Sequence, residues 1–109
     1  MFKFIQKAQA YLALRAKCNE ADAKHRIDGK RYFVIPVHGT LQTVNIEEAL
    51  TLKKQGVLPA DFSNKLIYNI AYYWSDTSSR HASSKGAMPK FEKHRRRPYF
   101  YKWFFSHHH

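Results

Sequence analysis

Residues 31–44 read Arg-Tyr-Phe-Val-Ile-Pro-Val-His-Gly-Thr-Leu-Gln-Thr-Val: a β-branched and aromatic run, a turn, and a second run that alternates apolar with polar. This pattern predicts a β-hairpin that turns at His38-Gly39-Thr40. Pro36 has no amide hydrogen to donate to a neighbouring strand. We therefore expect Pro36 at an outer edge, at the end of a strand or in a bulge.

A long helix is predicted before the hairpin. From Phe2 to about Arg26 the chain contains no Gly or Pro, and its apolar residues recur at helical spacing. The predicted buried stripe of this helix comprises Phe4, Ile5, Ala8, Tyr11, Leu12, Ala16 and Cys18. Asp28-Gly29 should end the helix, because glycine readily takes the left-handed conformation found at many helix ends.

A short helix is predicted after the hairpin. Asn45 is followed three residues later by Glu48, which is close to the capping-box pattern at a helix start. Gly56, after two lysines and a glutamine, should end this helix. We expect Leu52 to lie on its buried side and to join Leu12 and Ile35 in one core.

Residues 59–74 fit two structures. Phe62, Leu66, Ile70 and Tyr73 follow the rhythm of a helix, whereas the alternation that ends at Trp74 fits a third strand beside the hairpin. The length of the segment and its four-residue rhythm favour the helix.

The predicted architecture is a single small α+β domain over residues 1–106. Residues from about 75 to 89 are rich in serine, glycine and proline, which predicts a mobile loop. A basic and aromatic C-terminal segment follows the loop and docks on the domain. The final residues 107–109 are three histidines, which is typical of the remnant of a purification tag.

A resemblance adds to this interpretation. The runs Lys-Arg-Tyr-Phe-Val-Ile-Pro at residues 30–36 and Leu-Lys-Lys-Gln-Gly at residues 52–56 are similar to those of small basic accessory proteins from bacterial phages and mobile elements. The resemblance extends roughly from Tyr11 to Trp74. It implies an accessory protein, and it assigns no activity and no functional residues.

The net charge of +11 is concentrated at the two ends of the sequence. Residues 1–31 hold eight bases and three acids, residues 32–79 three bases and four acids, and residues 80–102 eight bases and one acid. Such asymmetry favours binding to polyanions: nucleic acid, an acidic protein or an anionic membrane surface.

The C-terminal run from His94 to Phe105 interleaves four bases with six aromatic residues. Arginines neutralise phosphates and aromatic rings stack on unpaired bases, so the run is typical of a single-strand interface. The alternative is structural: the rings form core, and the arginines cover them with their heads in water. Under the first interpretation the contacts to nucleic acid come from Arg80, Lys93, Arg95, Arg96, Arg97, Tyr99, Tyr101 and Lys102.

The conformation of this run affects the stacking hypothesis. A helix is predicted from Lys90 to Arg97, and Pro98 should kink it or switch the chain to an extended form. In an extended chain Tyr99 and Tyr101 would share one face.

Other classes of function find little support in the sequence. The acids are better explained as helix starts and loop residues, and the four histidines outside the final three form no ligand pair, so we predict no catalytic residues, no metal and no cofactor. The single cysteine, Cys18, leaves no internal disulfide and favours a reducing cytoplasmic setting. No stretch predicts a signal peptide or a transmembrane segment.

The function that follows is a non-catalytic nucleic-acid-binding accessory protein with little sequence preference. Single-stranded DNA or RNA is a better expected partner than a specific duplex, because rings stack on exposed bases. The alternative is a protein-interaction module that docks on an acidic host or phage protein.

Overall fold

The computed structural model describes residues 2–63, 65–75 and 88–107. Its elements in chain order are α1 (Phe2–Asp28), β1 (Phe33–Val37), β2 (Thr40–Val44), α2 (Ile46–Lys54), α3 (Leu66–Ile70), β3 (Tyr73–Trp74) and α4 (Lys90–His107). The strands form one antiparallel sheet in the order β2-β1-β3. The α+β class is therefore confirmed.

The predicted hairpin is present, with a two-residue turn. His38 and Gly39 both have positive φ, 48° and 80°, as two-residue hairpin turns of type I′ require. The Thr40 hydroxyl donates to the Val37 carbonyl at 2.8 Å, which ties the first residue of β2 to the last of β1. The register pairs Val37 with Thr40 and Phe33 with Val44.

Pro36 lies where the prediction placed it, at an edge. The Tyr72 amide donates to the Val34 carbonyl at 2.9 Å, so Val34 is oriented towards β3. Pro36, two residues further along β1, is oriented to the same side. Because β3 pairs only with Phe33 and Val34, the missing amide hydrogen of Pro36 costs no ladder bond.

The ambiguous segment contains both predicted structures. Residues 66–70 form α3, Ala71 turns to an extended conformation (φ −70°, ψ 141°), and Tyr73 and Trp74 pair with β1 as a third strand. A continuous helix through Trp74 is therefore wrong. The rhythm of Leu66 and Ile70 was helical, and the alternation near Trp74 was that of a strand.

The predicted loop at about 75–89 lies largely outside the described residues, but its ends belong to the folded domain. Ser75 is fully buried, its amide donates to the Tyr32 carbonyl at 2.9 Å, and its hydroxyl accepts from the Tyr32 amide at 2.9 Å. Met88 is also buried in the core. The two bonds between Ser75 and Tyr32 therefore continue the hydrogen bonding of the sheet one residue beyond β3.

The capping box of α2 is confirmed. The Asn45 side chain accepts from the Glu48 amide at 2.8 Å, and the Glu48 carboxylate accepts from the Asn45 amide at 3.1 Å. After the helix, Gly56 has φ 77°, in the left-handed region. Both ends of α2 thus follow from local sequence signals.

The buried face of α1 differs from the predicted stripe. The side chains of α1 that lie in or against the core are those of Ala10, Leu14, Cys18 and Ala21. Leu12 is 59% exposed, so its assignment to the core is wrong. The small Ala10 and Ala21 are fully buried, whereas Leu12, two positions after Ala10, lies on another face of the helix. Helix α1 ends at Asp28, and Gly29 follows with φ 74°.

The core lies between the sheet and the helices. Its largest fully buried side chains include Phe33, Phe62, Ile35 and Ile67, and Leu52 packs against it while partly exposed. The ring of Tyr68 stands edge-on between Phe33 and Trp74, at 5.0 and 5.1 Å between centroids. Within the residues that the structure describes, no helix is long and apolar enough to cross a membrane.

Helix α4 continues through Pro98 as one element from Lys90 to His107. Of the two predicted outcomes at Pro98, a kink or a change to an extended chain, the extended chain is therefore wrong. The proline ring has no amide hydrogen, but Phe100, two residues after it, is fully buried and keeps the second half of the helix packed. Contacts of Lys7 with Tyr101 and of Tyr11 with Arg97 show that α4 runs antiparallel to α1.

Candidate nucleic-acid interface

The helical form of α4 separates the two tyrosines predicted to stack on bases. Adjacent helical residues differ by about 100°, so Tyr99 and Tyr101 point in nearly opposite directions. Tyr99 is 69% exposed. Tyr101 is half-buried, with its ring stacked on Phe105 at 6.2 Å and the Lys7 ammonium 6.0 Å from its centroid. The two rings do not form one platform.

The three consecutive arginines also have different surroundings. Arg95 and Arg96 both donate to one oxygen of Glu92, at 2.9 and 3.0 Å. The hydrogen bond from Arg95, with that from Arg96, holds the pKa of the Glu92 carboxyl below its usual range. The side chain of Arg95 is 66% exposed, so its charge remains accessible to a partner.

Arg96 faces inward and stabilises the end of α3. Its Nη1 donates to the carbonyls of Tyr68 and Ala71 at 2.6 and 2.7 Å. Its guanidinium also lies 5.1 Å from the Trp74 ring centroid. The last carbonyls of a helix have no partners within the helix and carry partial negative charge, so a buried cation suits this position.

A cavity of about 320 Å³ lies between α1 and α4. We define this α1–α4 groove by residues from three elements: Tyr11, Arg15 and Cys18 of α1, Tyr73 of β3, and Lys93 and Arg97 of α4. It therefore brings together bases from the two basic ends of the sequence.

Two cations of the groove lie on tyrosine rings. The Arg97 guanidinium is 5.1 Å from the Tyr11 ring centroid, and the Lys93 ammonium is 4.5 Å from that of Tyr73. The Tyr73 hydroxyl donates to Asp22 at 2.7 Å. Such contacts hold a long cationic side chain in place while leaving its charge unneutralised.

Cys18 borders the groove as a neutral thiol. Burial is the main cause that raises its pKa to about 11, above the ordinary value of 9.0. Since the thiolate is the nucleophilic form of cysteine, the Cys18 thiol reacts slowly at neutral pH.

A second groove, of about 340 Å³, lies on another side of α4. We name it the Tyr99 groove, and Asn69, Tyr72, Arg95, Arg96 and Tyr99 line it. The exposed ring of Tyr99 and the accessible charge of Arg95 are adjacent here. Tyr99 thus gives this side of α4 an exposed aromatic surface.

Two further residues, Lys102 and Arg80, were predicted to contact nucleic acid. Lys102 is exposed on α4, and Arg80 lies outside the described residues. Tyr11 and Arg15 were not predicted as site residues. The two residues are four positions apart, so they share one face of the helix. The predicted buried stripe included Tyr11 but not Arg15, and therefore placed them on different sides.

Within the described ranges, no three His, Cys, Asp or Glu side chains lie close enough to hold a metal ion. Comparison of the chain with protein-family models, curated proteins and solved structures gave no match. The features of the molecule that bear on its function are therefore the two grooves and the charges around them.

Proposed function

We propose that the protein is a small non-catalytic nucleic-acid-binding accessory protein with little sequence preference. Single strands are its preferred ligand. The observation that carries the proposal is the clustering of basic side chains along α4 and the facing side of α1, interleaved with tyrosines. The resemblance to accessory proteins of phages and mobile elements supports only the accessory role, because it assigns no activity.

The charges in this cluster are only partly used within the protein. Arg95 and Lys102 are exposed, and the α1–α4 groove contains Arg15, Lys93 and Arg97 beside the one carboxylate of Asp22. Contacts from such bases to phosphates supply most of the affinity of non-specific binding. Arg96 is assigned a structural role, because its guanidinium already binds two carbonyls.

The test is fluorescence anisotropy with a 20-nucleotide DNA strand, the same RNA strand and a 20-base-pair duplex over a range of salt concentrations. We expect the single strands to bind more tightly and the affinity to fall steeply with salt. Replacing Arg95 and Lys102 with Gln should reduce the slope of log K against log salt by about 1.4, since each phosphate contact contributes ~0.7 on a single strand. Absence of binding to all three probes at low salt would reject the proposal.

A second function, docking on an acidic protein, is favoured by one specific observation. The Arg97 guanidinium lies 5.1 Å from the Tyr11 ring centroid, and the rings of Tyr73 and Trp74 are buried, which restricts the stacking of bases on these three rings. A partner with clustered carboxylates would need only the cations. Poly-glutamate that binds as tightly as the DNA strand, with no loss in a Tyr99→Ala variant, would support this function.

A further inference from the structure

The α1–α4 groove has the properties of an anion site. Among the described residues that line it, three are cations, contributed by two different helices, and one is a carboxylate, Asp22, which already accepts a hydrogen bond from Tyr73. The positive charge of the three cations is thus concentrated around a cavity and not spread over a convex surface. Low-dielectric walls on each side strengthen the field at such a position.

Arg97 adds a specific unsatisfied group. Its Nε is buried and has no hydrogen-bond partner within the described part of the chain. A buried donor without a partner carries a free-energy cost, and functional sites are one place where such groups persist. The Tyr11 ring beneath the guanidinium holds this side chain against the groove.

The size of the groove limits its ligand. A volume of about 320 Å³ is at the lower end of the range for small-molecule sites, which begins near 300 Å³. It suits one phosphate with its attached sugar. The planar, five-donor guanidinium of Arg97 and the compact ammonium of Lys93 are the usual groups that bind phosphate oxygens.

We propose that the α1–α4 groove binds a backbone phosphate of a single nucleic-acid strand, held by Arg15, Lys93 and Arg97. This inference rests on the proposed function and locates its main contact at a site that includes α1. The exposed bases of α4, Arg95 and Lys102, then serve as secondary contacts outside the groove.

The first test compares two variants that lose the same charge. Lys93→Gln with Arg97→Gln removes two cations from the groove, whereas Lys54→Gln with Lys65→Gln removes two exposed cations that line neither groove. With a fluorescent 12-nucleotide oligothymidylate at low salt, we expect the groove variant to bind at least about tenfold more weakly than the control variant. Its salt slope should be smaller by about 1.4.

Arg97 also packs on Tyr11, so a variant with less disruption to packing is needed. Arg15 is exposed, and Arg15→Gln is compared with Lys54→Gln at equal charge. We expect weaker binding and a slope smaller by about 0.7 in the first alone. Groove variants that bind as their controls do would overturn the inference and leave the proposed function intact. A wild-type protein that binds no oligothymidylate would overturn both.

The second test uses Cys18, the one cysteine of the chain, as a reporter in the groove. Because this thiol is mostly neutral, labelling with a small disulfide reagent is followed over hours at mildly alkaline pH. A strand that occupies the groove should protect the thiol from the reagent. At ten times the Kd about one molecule in eleven is free, so the labelling rate should fall about tenfold. An unchanged rate at saturation would overturn the inference. Inorganic phosphate at high concentration should slow labelling less, because it lacks the neighbouring contacts of the strand.

Discussion

The hairpin with α2 and the pair formed by α1 and α4 differ in how far apart along the sequence their contacting residues lie. In the first region the key contacts are local: the turn at His38 and Gly39, and the capping bonds between Asn45 and Glu48. In the second, Tyr11 contacts Arg97 across most of the chain. Local contacts leave a sequence pattern, whereas distant ones are set by packing.

The two regions also use charge differently. The hairpin with α2 lies in the near-neutral part of the sequence and is stabilised by apolar burial and backbone bonds. In the α1–α4 pair, cations on tyrosine rings form part of the packing itself. Basic residues there therefore divide into those that hold the fold and those that remain accessible to a partner.

The largest effect is expected in the hairpin core. Ile35 is fully buried in the central strand, so Ile35→Ala should lower the free energy of unfolding by ~2–5 kcal/mol through lost burial and the cavity left behind. Urea unfolding followed by circular dichroism measures this change. The control is Ile5→Ala, at an exposed isoleucine of α1. Equal stability of the two variants would contradict the placement of the core in the sheet.

The next effect separates adjacent arginines of α4. Arg96→Gln should destabilise the protein by ~1.5–3 kcal/mol, because it removes a charged donor from the carbonyls of Tyr68 and Ala71. Arg95→Gln should leave the melting temperature almost unchanged, since that side chain is exposed and exposed ion pairs stabilise little.

Binding should change in the opposite order in this arginine pair. At equal temperature below both melting points, Arg95→Gln should weaken the binding of a DNA strand more than Arg96→Gln. If Arg96→Gln melts as the wild type does, the inward orientation of Arg96 is wrong, and all three arginines belong to one solvated run.

A smaller effect tests the local signal at α2. Asn45→Ala removes the cap from the Glu48 amide and should cost ~1 kcal/mol, within the usual range of ~0.5–2 kcal/mol for such caps. Asn45→Asp is the matched control, because its carboxylate still accepts the hydrogen bond and suits the positive end of the helix dipole. Thermal melting should place the aspartate variant near the wild type. If the Asn45→Ala variant melted at the same temperature as the wild type, α2 would depend on packing alone.

The sequence predicted the parts of the fold with local signatures. The turn, the capping box and the ends of α1 and α2 all depend on residues within a few positions of each other, and the edge position of Pro36 follows from its own missing amide hydrogen. The split of residues 66–74 into α3 and β3 could not be predicted, because it depends on pairing of Tyr73 and Trp74 with β1 and on Arg96 binding the end of α3.

The candidate site was predictable in composition but not in arrangement. The bases and rings of α4 were identified, yet their roles differ: Arg96 and Tyr101 are packed, whereas Arg95 and Tyr99 are accessible. The contribution of α1 was missed because this helix has apolar residues on several faces. Its hydrophobic pattern alone does not show which face meets the sheet.

The smallest expected effect tests directly which face of α1 meets the sheet. Leu12→Ala should change the free energy of unfolding by no more than ~0.5 kcal/mol, because Leu12 is mostly exposed and alanine is a good helix former. Leu14→Ala, two residues away, should destabilise clearly more, since Leu14 packs against the core. Both variants remove the same atoms from the same helix, so the difference between their urea midpoints reports burial alone. If Leu12→Ala were the more costly, α1 would be rotated by about half a turn relative to the sheet. Tyr11 and Arg15 would then no longer face Lys93 and Arg97, and the α1–α4 groove would lose half of its proposed phosphate site.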